Sequence, residues 1–182
     1  RSAIAIADCT GASFIRVNVL TGVMATDQGL IEGQAHDLLR YRRELGADVK
    51  IFADVLVKHA QPLGEPDVKT AVQETIQRGL ADGVILSGGM TGSPPSLADL
   101  TMAKAAAGET PVLIGSGASL DNISQLIRAA DGAIVSSSLK RKGDIQQPID
   151  PIRARQFVTA LSQGLEMRTA TVSDESHSMV MK

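Results

Sequence analysis

Short apolar segments alternate with longer segments of helical character along most of this chain, and this alternation restricts the fold more than any other feature. Five apolar segments, bounded by glycine, proline or polar residues, are predicted as β-strands: residues 14–19, 49–55, 84–87, 112–115 and 133–135. Parallel strands need a long crossover connection, usually a helix, whereas antiparallel strands can follow a tight turn. The pattern therefore predicts an α/β fold built on a parallel sheet.

The segments between the strands are predicted as helices, several with capping signals at their ends. They are residues 30–45 closed by Gly46, 67–80, 96–107, 120–127, and a last helix from Asp150 and Pro151 to about residue 165. Near the start, the alternation in residues 2–8 permits a strand, but the alanine content and Gly11 favour a helix. Residues 1–167 are predicted to form one domain, and the polar residues 168–182 a flexible tail.

Polar residues on one face of the first two strands distinguish between the parallel α/β architectures. Arg16 and Asn18 share a face of the first strand, as do Lys50, Phe52 and Asp54 in the second, and the other faces are apolar. An open sheet covered by helices on both sides would be apolar on both faces. Charged residues fit the interior of a barrel, so we predict a (β/α)8 TIM-barrel-like fold in which Arg16 or Lys50 neutralises Asp54.

Five strand–helix units cannot close a barrel of eight strands. We therefore expect the three N-terminal units of the barrel to be missing from this chain, which begins at Arg1 rather than at methionine. The first strand would otherwise be an open apolar edge.

Composition excludes several functional classes. The 18 basic and 20 acidic residues are nearly balanced, and aromatic residues make up 2%, so neither charge nor stacking platforms indicate a nucleic-acid partner. The single cysteine, Cys9, cannot form an internal disulfide. We recognise no signal peptide and no apolar run of membrane-spanning length, so we expect a reducing, cytoplasm-like compartment with any membrane contact peripheral.

Two turns of small residues follow the fourth and fifth strands and are candidates for holding phosphate. One contains Gly115, Ser116 and Gly117, and the other Ser136 and Ser137. Many (β/α)8 barrels bind phosphate after their seventh and eighth strands, although a Gly-Ser-Gly segment is more often only a turn. Further candidate ligand-binding residues follow the first and third strands: Asn18, Thr21, Ser87 and Gly88.

The loop after the second strand carries the candidates for acid–base chemistry. Asp54, Lys58 and His59 combine a carboxylate, a cation and an imidazole within six positions. The alternative is that Lys58 is a surface charge and His59 a loop histidine bonded to backbone. We find no metal-binding or cofactor motif, and His36 and Cys9 are better explained as a surface and a buried structural residue.

Several long segments follow one another in a recognisable order: residues 11–22, 26–33, 54–60, 86–92 and 115–117. Together they resemble the BtpA family. The resemblance implies a TIM barrel that is about a third longer at its N-terminus. It also implies an extrinsic factor, at the cytoplasmic or stromal face of the thylakoid membrane, in the biogenesis or stability of the photosystem I reaction centre. Its partners would then be photosystem I subunits or assembly factors.

Two functional hypotheses follow. The first is the photosystem I biogenesis factor, which rests entirely on the resemblance. The second is an enzyme acting on a phosphorylated small molecule, such as a sugar phosphate or a nucleotide-like compound, with phosphate held by the last two strand ends. No catalytic residue is carried over from the family, and the residues do not identify a substrate or an oligomeric state.

Overall fold

Helices and strands alternate as predicted in the computed structural model, which describes residues 1–57, 60–64, 67–88 and 93–180. In chain order the elements are α1 (Ser2–Thr10), β1 (Phe14–Val17), β2 (Val23–Thr26), β3 (Gly29–Glu32), α2 (Ala35–Leu45), β4 (Lys50–Val55), β5 (Ala60–Pro62), α3 (Val68–Gln77), β6 (Gly83–Leu86), α4 (Leu97–Ala107), β7 (Val112–Ile114), α5 (Ile123–Leu126), β8 (Gly132–Ala133) and α6 (Pro151–Val180).

The five predicted strands form one sheet in the order β1-β4-β6-β7-β8, and every neighbouring pair is parallel. The outward face of this sheet is aliphatic and packs against the helices. Its central side chains, Ile51, Val84, Val112 and Ile114, have no exposed surface. This arrangement confirms the predicted α/β fold with a parallel sheet.

The inward face of the sheet differs from the aliphatic outward face, as the strand pattern predicted. The rings of Phe14 and Phe52 stack with centroids 4.9 Å apart. A Cβ atom at Gly83 would lie 2.8 Å from the Phe52 ring, so the glycine makes room for this stack. Beyond the rings toward the carboxyl ends of the strands, Arg16 and Asp54 form an ion pair.

A three-stranded antiparallel sheet in the order β3-β2-β5 was not predicted. The helix predicted for residues 30–45 begins only at Ala35, because Leu30 and Ile31 belong to the edge strand β3. The turn before β3 is stabilised locally. The Thr26 hydroxyl donates to the carbonyl of Gly29 at 2.8 Å, and Gly29 adopts a φ of 111° that favours glycine. Residues 60–62, predicted as loop, supply β5.

The helix predicted for residues 120–127 is shorter in the structure, because α5 contains four residues and a 3-10 turn, Ile127–Ala129, follows it. Asn122 folds the preceding segment into a turn instead. Its Oδ1 accepts from the amide of Ser119 at 2.8 Å, and its Nδ2 donates to the carbonyl of Gly117 at 2.9 Å. Such side-chain to backbone bonds compete with helix formation.

The first and last helices are both present as predicted, but the last one is longer than predicted. α1 is a helix, and Gly11 ends it in the left-handed conformation. Cys9 of α1, predicted to be buried, is exposed because it lies on the side of the helix away from the buried Ile4 and Ala7. Asp150 caps α6 by accepting from the amide of Ile152 at 2.9 Å. α6 continues to Val180, where a flexible tail was predicted from residue 168. Within the described ranges, we find no helix that is both long and apolar enough to cross a membrane.

Two aspartates at the amino-terminal edge of the sheet occupy equivalent positions. Asp82 precedes β6 and accepts from the amide of Ile51 at 2.9 Å, and Asp131 precedes β8 and accepts from the amide of Val112 at 2.9 Å. Each carboxylate also pairs with a cation from a helix: Arg42 at 2.9 Å for Asp82, and Lys104 at 2.7 Å for Asp131. Both aspartates therefore tie neighbouring parallel strands together where the strands begin.

Because of the Asp131 carboxylate, the free energy of unfolding should depend on pH in the acidic range. Burial raises the pKa of Asp131, but the hydrogen bonds from Lys104 and Val112 and the charge of Arg168 outweigh it, so the pKa lies below its ordinary value. The stabilisation is present above the unfolded pKa of about 3.9 and is lost as pH falls through the lower folded pKa.

We expect Asp131→Asn to be less stable than wild type at pH 7, with the difference shrinking below about pH 4. Urea unfolding across this pH range measures the difference in the free energy of unfolding. Asp121→Asn, which changes an exposed aspartate, is the control. A difference that stays constant with pH would contradict this assignment.

Candidate functional site

The two turns of small residues lie together, as predicted, at the carboxyl ends of β7 and β8. They line a cleft of about 400 Å³, which we call the β7–β8 cleft. Residues of both turns line the cleft, together with one residue of β1 and one residue of the segment that follows the second turn. They are Arg16, Gly115, Ser116, Gly117, Ala118, Ser119, Ile134, Val135, Ser136, Ser137, Ser138 and Gly143. The structure therefore brings the five predicted phosphate-binding residues of these turns into one cleft.

Two glycines of the first turn are required by neighbouring protein atoms. A Cβ at Gly115 would lie 2.5 Å from the Ser87 hydroxyl oxygen and 2.6 Å from Ile85 Cγ2. Gly117 has a φ of 76°, and a Cβ there would lie 2.6 Å from the Cα of Pro94. Glycines in a phosphate-binding turn can let the backbone approach a ligand. In the structure they let the turn approach the loop after β6.

Hydrogen bonds link the two turns and fix their shape. The Ser138 hydroxyl donates to the carbonyl of Ala118 at 2.8 Å, and Arg153 Nε donates to the carbonyl of Ser138 at 3.0 Å. Ser138, Ala118 and Ser119 were not among the predicted site residues. The run of three serines at the end of β8 was the available signal for Ser138, but its partner twenty residues away could not be predicted from spacing.

Several polar groups of the cleft remain available to a ligand. The Ser116 hydroxyl oxygen is buried and has no hydrogen-bond partner within the described ranges. The backbone amides of Ser116, Gly117 and Ser137 likewise form no hydrogen bond with the described part of the chain. A buried polar group without a partner, such as the Ser116 hydroxyl, is uncommon in proteins and needs a cause. A bound anion with several acceptor oxygens would provide one.

Asp54 pairs with Arg16 and not with Lys50, which resolves the two alternatives from the sequence. Arg16 Nε donates to one Asp54 oxygen at 2.8 Å and Nη2 to the other at 2.7 Å. The Asp54 side chain is only 6% exposed, whereas that of Arg16 is 40% exposed. The hydrogen bond to Asp54 raises the pKa of Arg16 above its ordinary value. Lys50 instead pairs with Asp48 at 2.8 Å on the surface.

The remaining predicted site residues are divided among other places. Asp54 and Thr21 line a second cleft of about 380 Å³, between β4, the small antiparallel sheet and α3. Asn18 lines a third cleft of about 410 Å³, which Arg16 also borders. The Ser87 hydroxyl lies next to Gly115, and a Cβ at Gly88 would lie 2.5 Å from the carbonyl oxygen of Pro94. Lys58 and His59 lie outside the described residues, so their predicted roles stay predictions.

The geometry limits the chemistry that Asp54 can perform in this arrangement. Both of its oxygens accept hydrogen bonds from one guanidinium, so each oxygen already has a partner. A carboxylate held in this way orients its partner well. Across the described ranges, no group of three or more His, Cys, Asp or Glu side chains is arranged to hold a metal ion.

Comparison with known proteins identifies close relatives in bacteria and archaea. The sequence profile of the BtpA family matches residues 1–163. The chain is 68% identical to the photosystem I biogenesis protein BtpA of Synechocystis, over 92% of this chain and 58% of that protein. It is 46% identical to an uncharacterised protein of Thermococcus kodakarensis, over 86% of this chain and 59% of that protein. The chain thus spans less than two-thirds of these relatives.

Solved structures with a similar fold are TIM-barrel aldolases. An archaeal fructose 1,6-bisphosphate aldolase matches with a TM-score of 0.56 and 16% identity, over 89% of this chain and 61% of that chain. A Schiff-base-forming fructose-1,6-bisphosphate aldolase matches with a TM-score of 0.53 and 17% identity, over 88% of this chain and 61% of that chain. At this identity the likeness concerns the fold alone.

Proposed function

Because this chain belongs to the BtpA family, we propose that its full-length protein acts in the biogenesis or stabilisation of the photosystem I reaction centre. The observation that carries the proposal is the 68% identity to the photosystem I biogenesis protein of Synechocystis, maintained over 92% of the chain. Photosystem I subunits or assembly factors are the proposed partners, and the proposed location is the cytoplasmic or stromal face of the thylakoid membrane, as an extrinsic protein.

The proposed architecture of the full-length protein is a complete (β/α)8 barrel. β1 and β8 are the two ends of the strand order, yet Arg16 of β1 and residues that follow β8 line the same cleft. The sheet is therefore strongly curved, which supports closure by further strands. The share of the aldolase chain that is matched, 61%, is close to the share expected for five of eight units.

One exposed segment supports a peripheral membrane contact. It follows β8 and contains Lys140, Arg141 and Lys142, together with the exposed side chains of Ile145 and Ile149, 64% and 59% accessible. Basic residues beside exposed aliphatic residues are typical of surfaces that bind anionic lipid.

The biogenesis proposal predicts functional replacement. In a Synechocystis strain lacking its own relative, we expect the full-length protein to restore photosystem I accumulation to at least about half of the wild-type level. Photo-oxidation of the P700 chlorophyll per cell measures the amount of photosystem I that accumulates. The protein should sediment with thylakoids and be released by a high-salt wash, as an extrinsic protein is. No restoration by a protein that accumulates normally would refute the proposed function.

A second function is favoured by the β7–β8 cleft: we propose that it binds the phosphate of a small molecule. The buried, unpartnered hydroxyl of Ser116 and the free amides of both turns support this proposal. Backbone amides and hydroxyls are the donors that barrels commonly offer to phosphate at this place. The acid–base role proposed for Asp54, Lys58 and His59 would belong to an enzyme acting on such a ligand.

The cleft proposal predicts that inorganic phosphate binds to the full-length protein. We expect Ser116→Asp to abolish binding, because its carboxylate would repel the anion from the centre of the turn. Isothermal titration with phosphate measures the affinity. Ser162→Asp, on the exposed side of α6, is the matched control and should bind as wild type does. Unchanged binding by Ser116→Asp would place phosphate elsewhere.

The two proposals can be separated in one strain. If Ser116→Asp folds, loses phosphate and still restores photosystem I, the cleft has a role apart from biogenesis. If the same variant fails to restore photosystem I, the biogenesis function depends on a bound metabolite.

A further inference from the structure

We infer that Arg16 supplies the positive charge that recognises an anion in the β7–β8 cleft, and that Asp54 positions its guanidinium for this purpose. The inference rests on the proposed phosphate-binding function of the cleft. It changes the role expected for both residues. Arg16 was predicted only as a neutralising partner, and Asp54 as a general base.

The charge distribution of the cleft points to Arg16. Among the described residues that line it, eleven are Gly, Ser, Ala, Ile or Val, and Arg16 is the charged member of the set. Hydroxyls and amides can bind the oxygens of a phosphate, but a dianion in a partly enclosed cleft also needs a compensating charge. Within this lining, Arg16 is placed to provide it.

The hydrogen-bonding capacity of Arg16 is only partly used. A guanidinium has five N–H donors, and Asp54 takes one from Nε and one from Nη2. The three other N–H groups form no hydrogen bond with the described residues. The Arg16 side chain is also 40% exposed, so these donors can reach a ligand. The fork that faces away from Asp54 can therefore bind a second oxyanion.

Asp54 determines where this fork points. Its carboxylate is buried and holds the edge of the guanidinium formed by Nε and Nη2 through two short bonds. An arginine fixed in this way loses little conformational freedom when it binds an anion. Asp54 therefore acts through Arg16 as a positioning residue, and the carboxylate itself has no need to touch the ligand.

The arrangement favours a phosphate monoester as the ligand class. Three terminal oxygens and a charge near −2 match three arginine donors, the Ser116 hydroxyl and the free amides of the two turns. Arg16 also borders the third cleft, which contains Asn18. The organic part of the ligand can extend there from a phosphate held between the turns.

Phosphate binding by the full-length protein and its charge variants tests the inference. Arg16→Gln alone would leave Asp54 buried without a partner, so the central variant is the neutral pair Arg16→Gln/Asp54→Asn, which removes both charges together. Isothermal titration with inorganic phosphate should show affinity reduced at least about tenfold. The surface pair Asp48→Asn/Lys50→Gln is the matched control and should bind as wild type does.

The pH dependence of binding separates recognition from a structural effect. Phosphate becomes a dianion between about pH 6 and pH 8. Wild type should bind more tightly as pH rises through this range, and the neutral pair should lose this preference. Asp54→Asn keeps the charge of Arg16 but not its anchoring, so it should bind more weakly and retain the preference.

The outcomes are distinguishable. If wild type binds phosphate and the folded neutral pair binds it equally well with the same pH dependence, the role of Arg16 is wrong and the proposed cleft function stands. If wild type does not bind phosphate, the cleft function and this inference are both overturned. If Asp54→Asn binds as wild type does, Asp54 does not position Arg16.

Discussion

Gly117→Ala is expected to lower the free energy of unfolding by about 3 kcal/mol, because the added methyl group overlaps the backbone of the next loop. At this position a Cβ would lie 2.6 Å from the Cα of Pro94 and closer still to the Pro94 nitrogen. Backbone cannot move aside as a flexible side-chain end can. The φ of 76° adds the cost of placing an L side chain in the left-handed region.

Gly46→Ala is the matched control for this substitution. Gly46 ends α2 with a φ of 66°, and a Cβ there would meet no atom within 4 Å. It therefore carries the conformational cost without the overlap, and we expect a loss of about 1 kcal/mol. Urea unfolding of both variants at pH 7 measures the difference. Equal losses would show that Pro94 does not restrict Gly117. A larger loss at Gly117, together with weaker phosphate binding, would show that the contact shapes the β7–β8 cleft.

Arg16→Gln is expected to destabilise the protein by about 3 kcal/mol, because it leaves the Asp54 carboxylate buried without its cation. Asp54 is 6% exposed in its side chain, and both of its oxygens bind Arg16. The neutral pair Arg16→Gln/Asp54→Asn should recover most of this loss, since two carboxamide side chains can occupy the same site with no buried charge.

The exposed ion pair of Lys50 and Asp48 provides the comparison. Its separation, 2.8 Å, is nearly the same as that of the buried pair, but Asp48 is exposed to solvent. Water and salt screen such a pair, so Asp48→Asn should leave the unfolding midpoint unchanged. Chemical denaturation of wild type, Arg16→Gln, Asp54→Asn and the neutral pair gives the coupling energy between Arg16 and Asp54. A coupling energy near zero would mean that Asp54 finds its stabilisation elsewhere.

The parts of the fold that were predictable from sequence are those with local signals. The parallel strands are short aliphatic segments, and α3, α4 and α6 begin at capping residues whose side chains do bind the first turn: Asp67, Ser96 and Asp150. The ion pair of Arg16 was also predicted in outline, because strand alternation places it on the same face as Asp54.

The parts that were not predictable depend on partners distant in sequence. β2 and β3 are weakly apolar, and Leu30 and Ile31 fit the start of a helix as well as an edge strand. The tripeptide Ala-Asp-Gly occurs at residues 81–83 and again at 130–132, and it was a usable signal for the two strand-linking aspartates. In the site, the need for Gly117 arises from Pro94, which no pattern in residues 112–120 indicates.

Asp82 and Asp131 have a consequence for how this scaffold can change. Each fixes the alignment of adjacent strands at the amino-terminal edge, opposite the clefts. The loops at the carboxyl edge can therefore be exchanged between relatives without sliding one strand past another. Chimaeras that graft a foreign loop after β8 should keep the strand alignment as long as both aspartates are kept, so ligand preference in this lineage can diversify separately from the framework.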